Sequence, residues 1–327
     1  MLFLRKSKGL LKMNSEKYKQ YKKFDLTYKL PQVLLFGNGL SRQVDWKQFI
    51  KAVSNKDVEK YYKNKDAQLP NLILTSTVTD INDLARQNKY IEYLDKYNCT
   101  SSEQIKNLLN INFDAILTTN YTYELECNLK NNYCDLSDNA KRESYAKTTE
   151  SGYDSKYFIH TFNRVANGVS LQDIWHIHGE QRRKSSMVLT HDEYARLMGQ
   201  IIDYNNKIGN KYDYYYDNLK FKSWIDYFVM SDLYILGQGF DFAEFDLWWL
   251  LLRRIREKAK TGKIIFYEPR NEDNKYKLLA LEDLGVKTET LGCVIDKSKS
   301  IDEQYKSFYD IAIKDIHQKV LNNQEEI

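Results

Sequence analysis

A short apolar run that stops at a glycine turn is the feature that most constrains the fold of this chain. Residues 32–41 read QVLLFGNGLS, so the apolar run Val33–Phe36 ends abruptly at Gly37. A run of this length, bounded by glycine, is typical of a strand buried on both faces of a parallel sheet. Gly37 and Gly39 predict a tight turn whose bare N–H groups could meet a phosphate, with Ser41 capping the next helix. A plain strand-to-helix turn explains this stretch equally well, because the third glycine of the usual dinucleotide fingerprint is missing.

Several other segments predict strands of the same sheet. They are Asp114–Asn120, Asp173–Gly179, Asp232–Leu236, Lys263–Tyr267 and Val286–Leu291. Four of the six strand ends carry the short motifs GNGLS, TTNY, HIHG and GQGF. Because the carboxyl ends of neighbouring parallel strands meet at one edge of a sheet, we expect these four loops to lie together.

The segments between the strands mostly predict helices. An aromatic helix begins near Trp46, and Thr190 and Glu193 match a capping box at the start of another. Segment 71–84 has features of both strand and helix, and we favour helix. Segment 128–170 is polar and lacks apolar periodicity, which favours a mobile, lid-like segment. Further helices are predicted over 88–110, 245–252 and 301–322. The first of these is interrupted around Cys99–Ser101, where a serine caps the helix that continues at Glu103.

This layout predicts one α/β domain over residues 31–327, built on a parallel sheet of about six strands. Helical insertions are expected at about 47–110, 128–170 and 190–230. Residues 1–30 alternate lysines with aromatic residues and predict a basic N-terminal leader. A solvated helix explains this leader best, and an adhesive arm for a partner or nucleic acid is the alternative.

Composition excludes several classes of function. The 49 basic and 45 acidic side chains nearly cancel to a net charge of +4, which gives no electrostatic argument for nucleic acid or a membrane surface. No run approaches the roughly 20 apolar residues of a membrane span. The four cysteines are scattered without a C-x-x-C pair, so neither a structural metal site nor a disulfide framework is expected. A reducing, cytoplasmic setting follows.

Taken together, the motifs resemble the sirtuin-like NAD-hydrolysing domains of bacterial antiphage, or abortive infection, proteins. The residues that carry the resemblance are Gly37–Ser41 with Trp46, Thr118–Tyr121 with Leu125–Glu126, Ile177–Gly179, Val188–Thr190 with Glu193–Tyr194, and Gly237–Phe240. Their order and spacing extend from about residue 31 to residue 292. The resemblance implies a Rossmann-like sheet that binds NAD as substrate across its carboxyl edge, without a metal.

The resemblance also implies which residues form the site. Asn120 and His178 match the catalytic pair of the family. The residues expected to bind NAD are Gly37, Asn38, Gly39, Ser41, Thr118, Thr119, Thr122, Gly237, Gln238, Gly239, Phe240 and Glu268. The first loop would hold the phosphates, and Glu268 with the second glycine loop would face the adenosine.

The chemistry of NAD cleavage suits the catalytic pair. Breaking the bond between nicotinamide and ribose creates an oxocarbenium-like centre, as in other glycosyl transfers. The amide of Asn120 can orient a ribose hydroxyl or the attacking water, and the imidazole of His178 can take a proton near neutral pH. His176 lies two residues before His178 and faces the same side of a strand, so the two histidines could exchange roles.

Three departures from the family bear on function. Deacylating sirtuins carry four zinc-binding cysteines after the His-Gly motif, whereas this chain has Gln181–Lys184 there, which argues against deacylation. Thr122 stands where many relatives have an Asp that contacts the nicotinamide amide. Gln43–Asp45 replaces a frequent Gly-x-Pro.

We therefore expect an NAD hydrolase that acts in antiphage defence by depleting NAD. The alternative is a non-catalytic nucleotide-sensing module that switches a partner protein. A nucleic-acid-associated effector ranks last, because the overall charge is nearly balanced. Family analogy adds a homo-oligomer or a co-encoded defence partner that restrains the enzyme.

Overall fold

A computed structural model of the protein describes residues 30–41, 44–62, 71–79, 83–97, 102–128, 160–166, 169–181, 184–208, 223–257, 261–272, 274–293 and 301–325. Its centre is a seven-stranded sheet. The strands are β1 (Gln32–Phe36), β2 (Ala115–Thr118), β3 (His160–Ala166), β4 (Val169–His176), β5 (Asp232–Leu236), β6 (Ile264–Tyr267) and β7 (Lys287–Glu289).

The strands are arranged in the order β3-β4-β2-β1-β5-β6-β7. Every neighbouring pair is parallel except β3 and β4, which are antiparallel. The six mutually parallel strands, numbered among themselves along the chain, follow the doubly wound Rossmann order 3-2-1-4-5-6. The predicted α/β fold with a parallel sheet of about six strands is therefore confirmed.

Helices cover both faces of the sheet. Those in the first half of the chain are α1 (Asn38–Ser41), α2 (Trp46–Val53), α3 (Glu59–Tyr62), α4 (Asn71–Val78), α5 (Asp83–Leu94), α6 (Glu103–Leu109) and α7 (Glu124–Asn128). Those in the second half are α8 (His191–Ile208), α9 (Trp224–Met230), α10 (Phe245–Arg256), α11 (Lys275–Asp283) and α12 (Ile301–Glu325).

The apolar run of β1 is explained by its central position in the sheet. Val33 and Leu35 pack into the core on the face covered by α8, α9, α10 and α11. Leu34 and Phe36 pack into the core on the opposite face, beside α6 and α12. Because successive side chains of a strand point to opposite faces, a strand buried on both sides needs an unbroken apolar run.

The helices of the first insertion form a third core beside the carboxyl edge of the sheet. Phe49 of α2 and Tyr90 of α5 pack there against Tyr121, which follows β2. Segment 71–84 contains the helix α4 (Asn71–Val78), so the preference for helix is confirmed there. This insertion places a helical wall next to the loops that carry the motifs.

The chain reverses its winding direction at β1, which pairs with β2 on one side and with β5 on the other. The loops after β1 and β5 touch each other: the Gly37 N–H donates to the Leu236 carbonyl at 3.0 Å, and the Gly39 N–H donates to the Gly237 carbonyl at 2.7 Å. The prediction that these glycines leave bare N–H groups is therefore wrong. Ser41 does not cap the next helix either, because it is the last residue of α1.

Close approach explains why glycine occupies position 37. A Cβ atom there would lie 2.4 Å from the Gly237 carbonyl oxygen, well inside contact distance. Gly237 itself has φ of +70°, a conformation that favours glycine. By contrast, a Cβ atom on Gly239 would meet nothing within 4 Å.

Two predicted helix starts are confirmed by their caps. Ser102 precedes α6 and accepts a hydrogen bond from the Ile105 N–H. At the start of α8, the Glu193 carboxylate accepts from the Thr190 N–H, and the Thr190 hydroxyl accepts from the Glu193 N–H. This reciprocal pair is the predicted capping box.

The segment predicted as a lid differs in part from the structure. Residues 160–166 form β3, an edge strand that the sequence analysis missed, and β4 already begins at Val169. An edge strand pairs on one side only, so its sequence need not contain the continuous apolar run by which a buried strand is recognised. Residues 129–159, the leader over 1–29 and residues 209–222 lie outside the described residues, so the predictions for them stay predictions.

The expectation of no disulfide needs correction at one position. Cys127 in α7 is disulfide-bonded, whereas Cys293 is free. None of the helices within the described ranges is long and apolar enough to cross a membrane. In that same part of the chain, His, Cys, Asp and Glu side chains do not gather in threes as they would around a metal ion.

Candidate active site

A cavity of about 370 Å³ opens at the point where the winding direction reverses. It lies at the carboxyl edge of the sheet, where ligands bind in open α/β folds. The predicted site residues that line it are Asn38, Gly39, Thr119, Asn120, His178, Gly237, Gln238, Gly239 and Glu268. The two residues expected to be catalytic thus share one cavity with both glycine loops.

The other predicted site residues lie behind the wall of the cavity. The Thr118 hydroxyl accepts from the Asn120 N–H at 3.1 Å, and the hydroxyls of Ser41 and Thr122 both donate to Glu124. Phe240 packs edge-on against Phe266 in the core. These residues, like Gly37, do not line the cavity.

The side-chain amide of Asn120 is held by a hydrogen bond to a buried glutamate. Its Nδ2 donates to the carboxylate of Glu124, which also accepts from the Thr122 hydroxyl at 2.5 Å. Burial raises the pKa of Glu124, and the hydrogen bond from Thr122 partly offsets this. Because the amide nitrogen is turned to Glu124, the carbonyl oxygen Oδ1 is the atom of Asn120 that remains to accept a hydrogen bond from a ligand.

His178 forms a buried dyad with Asp246 of α10. Its Nε2 lies 2.8 Å from the Asp246 Oδ2, and both side chains are almost fully excluded from solvent. A carboxylate accepts, so Nε2 carries a proton and Nδ1 is the nitrogen that can take one. Nδ1 lies 3.4 Å from the hydroxyl of Tyr194, which also lines the cavity.

The dyad sets the charge state of His178. Burial alone would lower the pKa of this imidazole, but the negative charge of Asp246 and the hydrogen bond to it outweigh burial and raise the pKa. The imidazolium that forms when His178 takes a proton is thereby stabilised. An aspartate behind a histidine in this way fixes the tautomer of a general base.

His176 has a different position from His178. It is 4% exposed, does not line the cavity, and has both ring nitrogens within hydrogen-bond distance of other protein groups. Of the two histidines whose roles the sequence left open, His178 is the one placed to meet a ligand.

A polar chain crosses one side of the cavity. The Thr119 hydroxyl donates to Gln238 Oε1 at 2.9 Å, and Gln238 Nε2 donates to Glu244 Oε1 at 2.7 Å. Burial raises the pKa of Glu244 to about 7, although the charge of His178 opposes this shift. Glu244 therefore changes its charge near neutral pH inside the cavity.

Sequence reasoning missed both Glu244 and Asp246. It predicted a helix over 245–252, which the structure contains, but gave the first turn of that helix no role in the site. A signal was present in the sequence, because Asp246 precedes Leu247 and lies one turn before Leu250, and both leucines are fully buried. Helical spacing therefore puts this carboxylate on the face of α10 that enters the core, where a charged group needs a partner.

The walls of the cavity come from parts of the chain far apart in sequence. Trp46 of α2 and Tyr121 contact edge to face with ring centroids 6.2 Å apart. Tyr305 and Tyr309 of α12 line the cavity as well. Flat aromatic surfaces of this kind suit the rings of a nucleotide.

The charged groups that line the cavity are acidic. They are the carboxylates of Asp241, Glu244 and Glu268; the imidazole of His178 lines the cavity as well, but among the lining residues that the structure describes there is no lysine or arginine. A ligand with a positively charged ring is favoured by such a lining, whereas an additional phosphate is disfavoured.

The doubly wound sheet and a cavity at its reversal point define a Rossmann-like α/β domain. A family model described as SIR2-like domain matches residues 114–288, which is more than half of the 327 residues. The chain therefore belongs to the SIR2-like domain family, and the predicted sirtuin-like character is confirmed. The matched segment includes Asn120, His178 and the second glycine loop. No curated protein matches the chain significantly.

Proposed function

We propose that this protein is an NAD glycohydrolase, which cleaves NAD into nicotinamide and ADP-ribose. SIR2-like domains use NAD, so the family membership supports the ligand. The observation that carries the proposal is that Asn120 and His178 line one cavity with the glycine loops after β1 and β5, while Asp246 holds His178 from behind.

The residues suit a hydrolysis in which water replaces nicotinamide on the ribose. Asn120 Oδ1 accepts a hydrogen bond from a ribose hydroxyl or from the attacking water and thereby fixes its direction. The bond between the ribose C1′ and the nicotinamide nitrogen breaks, the water oxygen bonds to C1′, and the proton lost from water goes to His178 Nδ1. Asp246 stabilises the imidazolium that results.

The acidic lining supports NAD over a neutral or more anionic ligand. The nicotinamide ring of NAD is positively charged until the bond breaks, and carboxylates such as Glu244 stabilise positive charge that passes to the ribose. Gly39, Gly237 and Gly239 all line the cavity, and a Cβ atom on Gly239 would meet nothing within 4 Å, so a pyrophosphate could approach the backbone at that loop.

The proposal is tested by nicotinamide release from NAD by the purified protein. We expect Asn120→Ala to lower kcat by about 10²-fold through misplacement of the substrate, and His178→Gln by about 10²–10⁴-fold through loss of the base. Asn107→Ala and His191→Ala are matched controls, because both side chains are exposed and lie outside the cavity lining. Absence of nicotinamide release, or equal release by Asn120→Ala and wild type, would contradict the proposal.

One observation favours a second candidate function, a nucleotide-sensing module without turnover. The Thr122 hydroxyl donates to Glu124 and does not line the cavity, although this position would contact the nicotinamide amide in many relatives. Calorimetry that shows tight binding of NAD with no product would support this alternative. Catalytic release of nicotinamide would eliminate it.

We further propose that NAD cleavage serves antiphage defence in the bacterial cytoplasm. The support is the resemblance to sirtuin-like domains of abortive infection proteins, and the same analogy suggests control by a homo-oligomer or a co-encoded partner. Cells that express the wild-type protein should lose NAD after phage infection, whereas cells that express Asn120→Ala should keep it. Equal NAD levels in both would contradict a defence role by depletion.

A further inference from the structure

His176 lies between two groups that can only accept hydrogen bonds. Its Nδ1 is 2.7 Å from the backbone carbonyl oxygen of Asn120, and its Nε2 is 2.8 Å from the Glu126 Oε1. A neutral imidazole has one N–H and would satisfy one acceptor while it turns a lone pair to the other. The imidazolium is the state that donates to both.

The surroundings of His176 favour that charged state. Glu126 is fully buried, and its second oxygen has no hydrogen-bond partner among the described residues, so His176 is the group that balances its charge. Glu180 adds a second negative charge nearby, and the ring of Tyr123 lies edge-on at 5.5 Å. Burial opposes the charge, but Glu126 outweighs it and the pKa of His176 is raised to about 9.

The hydrogen bond from His176 reaches the residue on which the proposed chemistry depends. Asn120 follows the last residue of β2 by two positions, so its own backbone groups lie outside the strand pairing. Its N–H is held by the Thr118 hydroxyl and its carbonyl by His176. Both ends of this residue's backbone are therefore fixed from behind the cavity wall.

We propose that His176, paired with Glu126, is a positioning residue that fixes the backbone of Asn120 and thereby aims its side chain into the cavity. The inference rests on the proposed function in those tests that measure nicotinamide release. It assigns His176 no contact with the substrate.

Two variants distinguish a His176 that positions Asn120 from a His176 that only compensates the buried charge of Glu126. In His176→Gln, the amide reaches as far as Nε2 and still donates to Glu126, but the donor to Asn120 is lost. In the double variant His176→Asn with Glu126→Gln, the shorter amide replaces Nδ1 and still donates to Asn120, and no buried charge is left unpaired. The two variants therefore lose opposite halves of the arrangement.

We expect His176→Gln to lose about tenfold in kcat with KM changed less, which corresponds to one hydrogen bond of about 1.4 kcal/mol. We expect the double variant to stay within about threefold of wild type on the same scale. Comparable kcat in His176→Gln and wild type, or a larger loss in the double variant than in His176→Gln, would overturn the inference. Circular dichroism of each variant identifies a folding defect.

The pH profile of Glu126→Gln gives an independent test that does not depend on either His176 variant folding. In the wild type, kcat should fall as the pH rises through about 9, because neutral His176 cannot donate to both acceptors. In Glu126→Gln, the new amide can donate to Nε2, so Nδ1 keeps its proton and the alkaline fall should disappear. An identical alkaline fall in both proteins would overturn the inference.

If the wild type releases no nicotinamide, the proposed function fails, and the inference is then read from ADP-ribose affinity by calorimetry. Tenfold weaker binding by His176→Gln, with affinity retained in the double variant, would support positioning on the same scale of one hydrogen bond. Equal ADP-ribose affinity in all three proteins would overturn it.

Discussion

Substitution of Asp246 by Asn separates catalysis from stability at this site. Asp246 is fully buried in the first turn of α10, and its carboxylate lies 2.8 Å from His178 Nε2. With charge centres about 4 Å apart and an effective dielectric constant of about 20, the attraction between the carboxylate and the imidazolium is about 4 kcal/mol. Asn has nearly the same volume as Asp but supplies none of this attraction.

Two effects lower the activity of Asp246→Asn. The imidazolium loses its stabilisation, and the Asn amide can donate to Nε2, which moves the imidazole proton to Nδ1, where it blocks the proposed base. We expect kcat to fall by about 10²–10⁴-fold, the range that a general base contributes. Since Asp246 holds the pKa of His178 above its ordinary value, the residual activity should also decline at lower pH than wild-type activity does.

Stability should distinguish Asp246→Asn from His178→Ala, although both variants should lose activity. Asp246 Oδ1 has no hydrogen-bond partner among the described residues, so an uncharged Asn removes a desolvated charge and should unfold within about 1–2 kcal/mol of wild type. His178→Ala leaves the buried carboxylate unpaired and should lose about 3–5 kcal/mol.

The assay for Asp246→Asn is nicotinamide release from about pH 5 to about pH 8, combined with chemical denaturation of wild type and both variants. The reasoning would be refuted by wild-type kcat in Asp246→Asn, or by an acid limb that stays in place or moves to higher pH. It would also be refuted if Asp246→Asn were destabilised as much as His178→Ala.

Other predictions follow from the same structure. Gly37→Ala should melt well below Gly239→Ala, because the Cβ added at position 37 would lie 2.4 Å from the Gly237 carbonyl oxygen, whereas a Cβ at position 239 would meet nothing within 4 Å. Equal melting temperatures of these two variants would contradict this. Glu268→Gln should raise kcat/KM for NADP relative to NAD by about tenfold. The substitution removes the repulsion between the Glu268 carboxylate and the additional phosphate of NADP, which is roughly 1–2 kcal/mol on a partly screened surface. An unchanged ratio of the two kcat/KM values would contradict this prediction. Because the pKa of His176 is raised in the folded protein, protonation of His176 stabilises the fold by at most about 3 kcal/mol, fully so below about pH 6.5. This contribution to the free energy of unfolding should disappear as the pH rises through about 9. Chemical denaturation across this pH range checks the prediction, because Glu126→Gln should not show the decline.

The sheet could be predicted because parallel strands have a strong sequence signature. Val33–Phe36 and the apolar runs after Asp114 and Asp232 are short, continuous and end at glycine or small polar residues, which is what burial on both faces requires. The location of the site followed from topology, since loops after parallel strands share one edge. Strand β3 was missed because it pairs on one side only.

The interior of the site could be predicted only in part. The motif residues Asn120 and His178 line the cavity, but nothing in their local sequence indicates that the carboxylate of Asp246 lies behind His178. Such partners are set by packing between elements distant in sequence, as Asp246 reaches His178 across 68 positions of the chain. Likewise, the N–H groups of the first glycine loop are used by the β5 loop, which local pattern cannot reveal.

A structure of the protein with bound ADP-ribose tests the central claim most directly. The account predicts that ADP-ribose occupies the cavity at the reversal point of the sheet, with a ribose hydroxyl within hydrogen-bond distance of Asn120 Oδ1 and His178 beside the same ribose. ADP-ribose bound elsewhere, or bound there with its ribose turned away from both side chains, would contradict it.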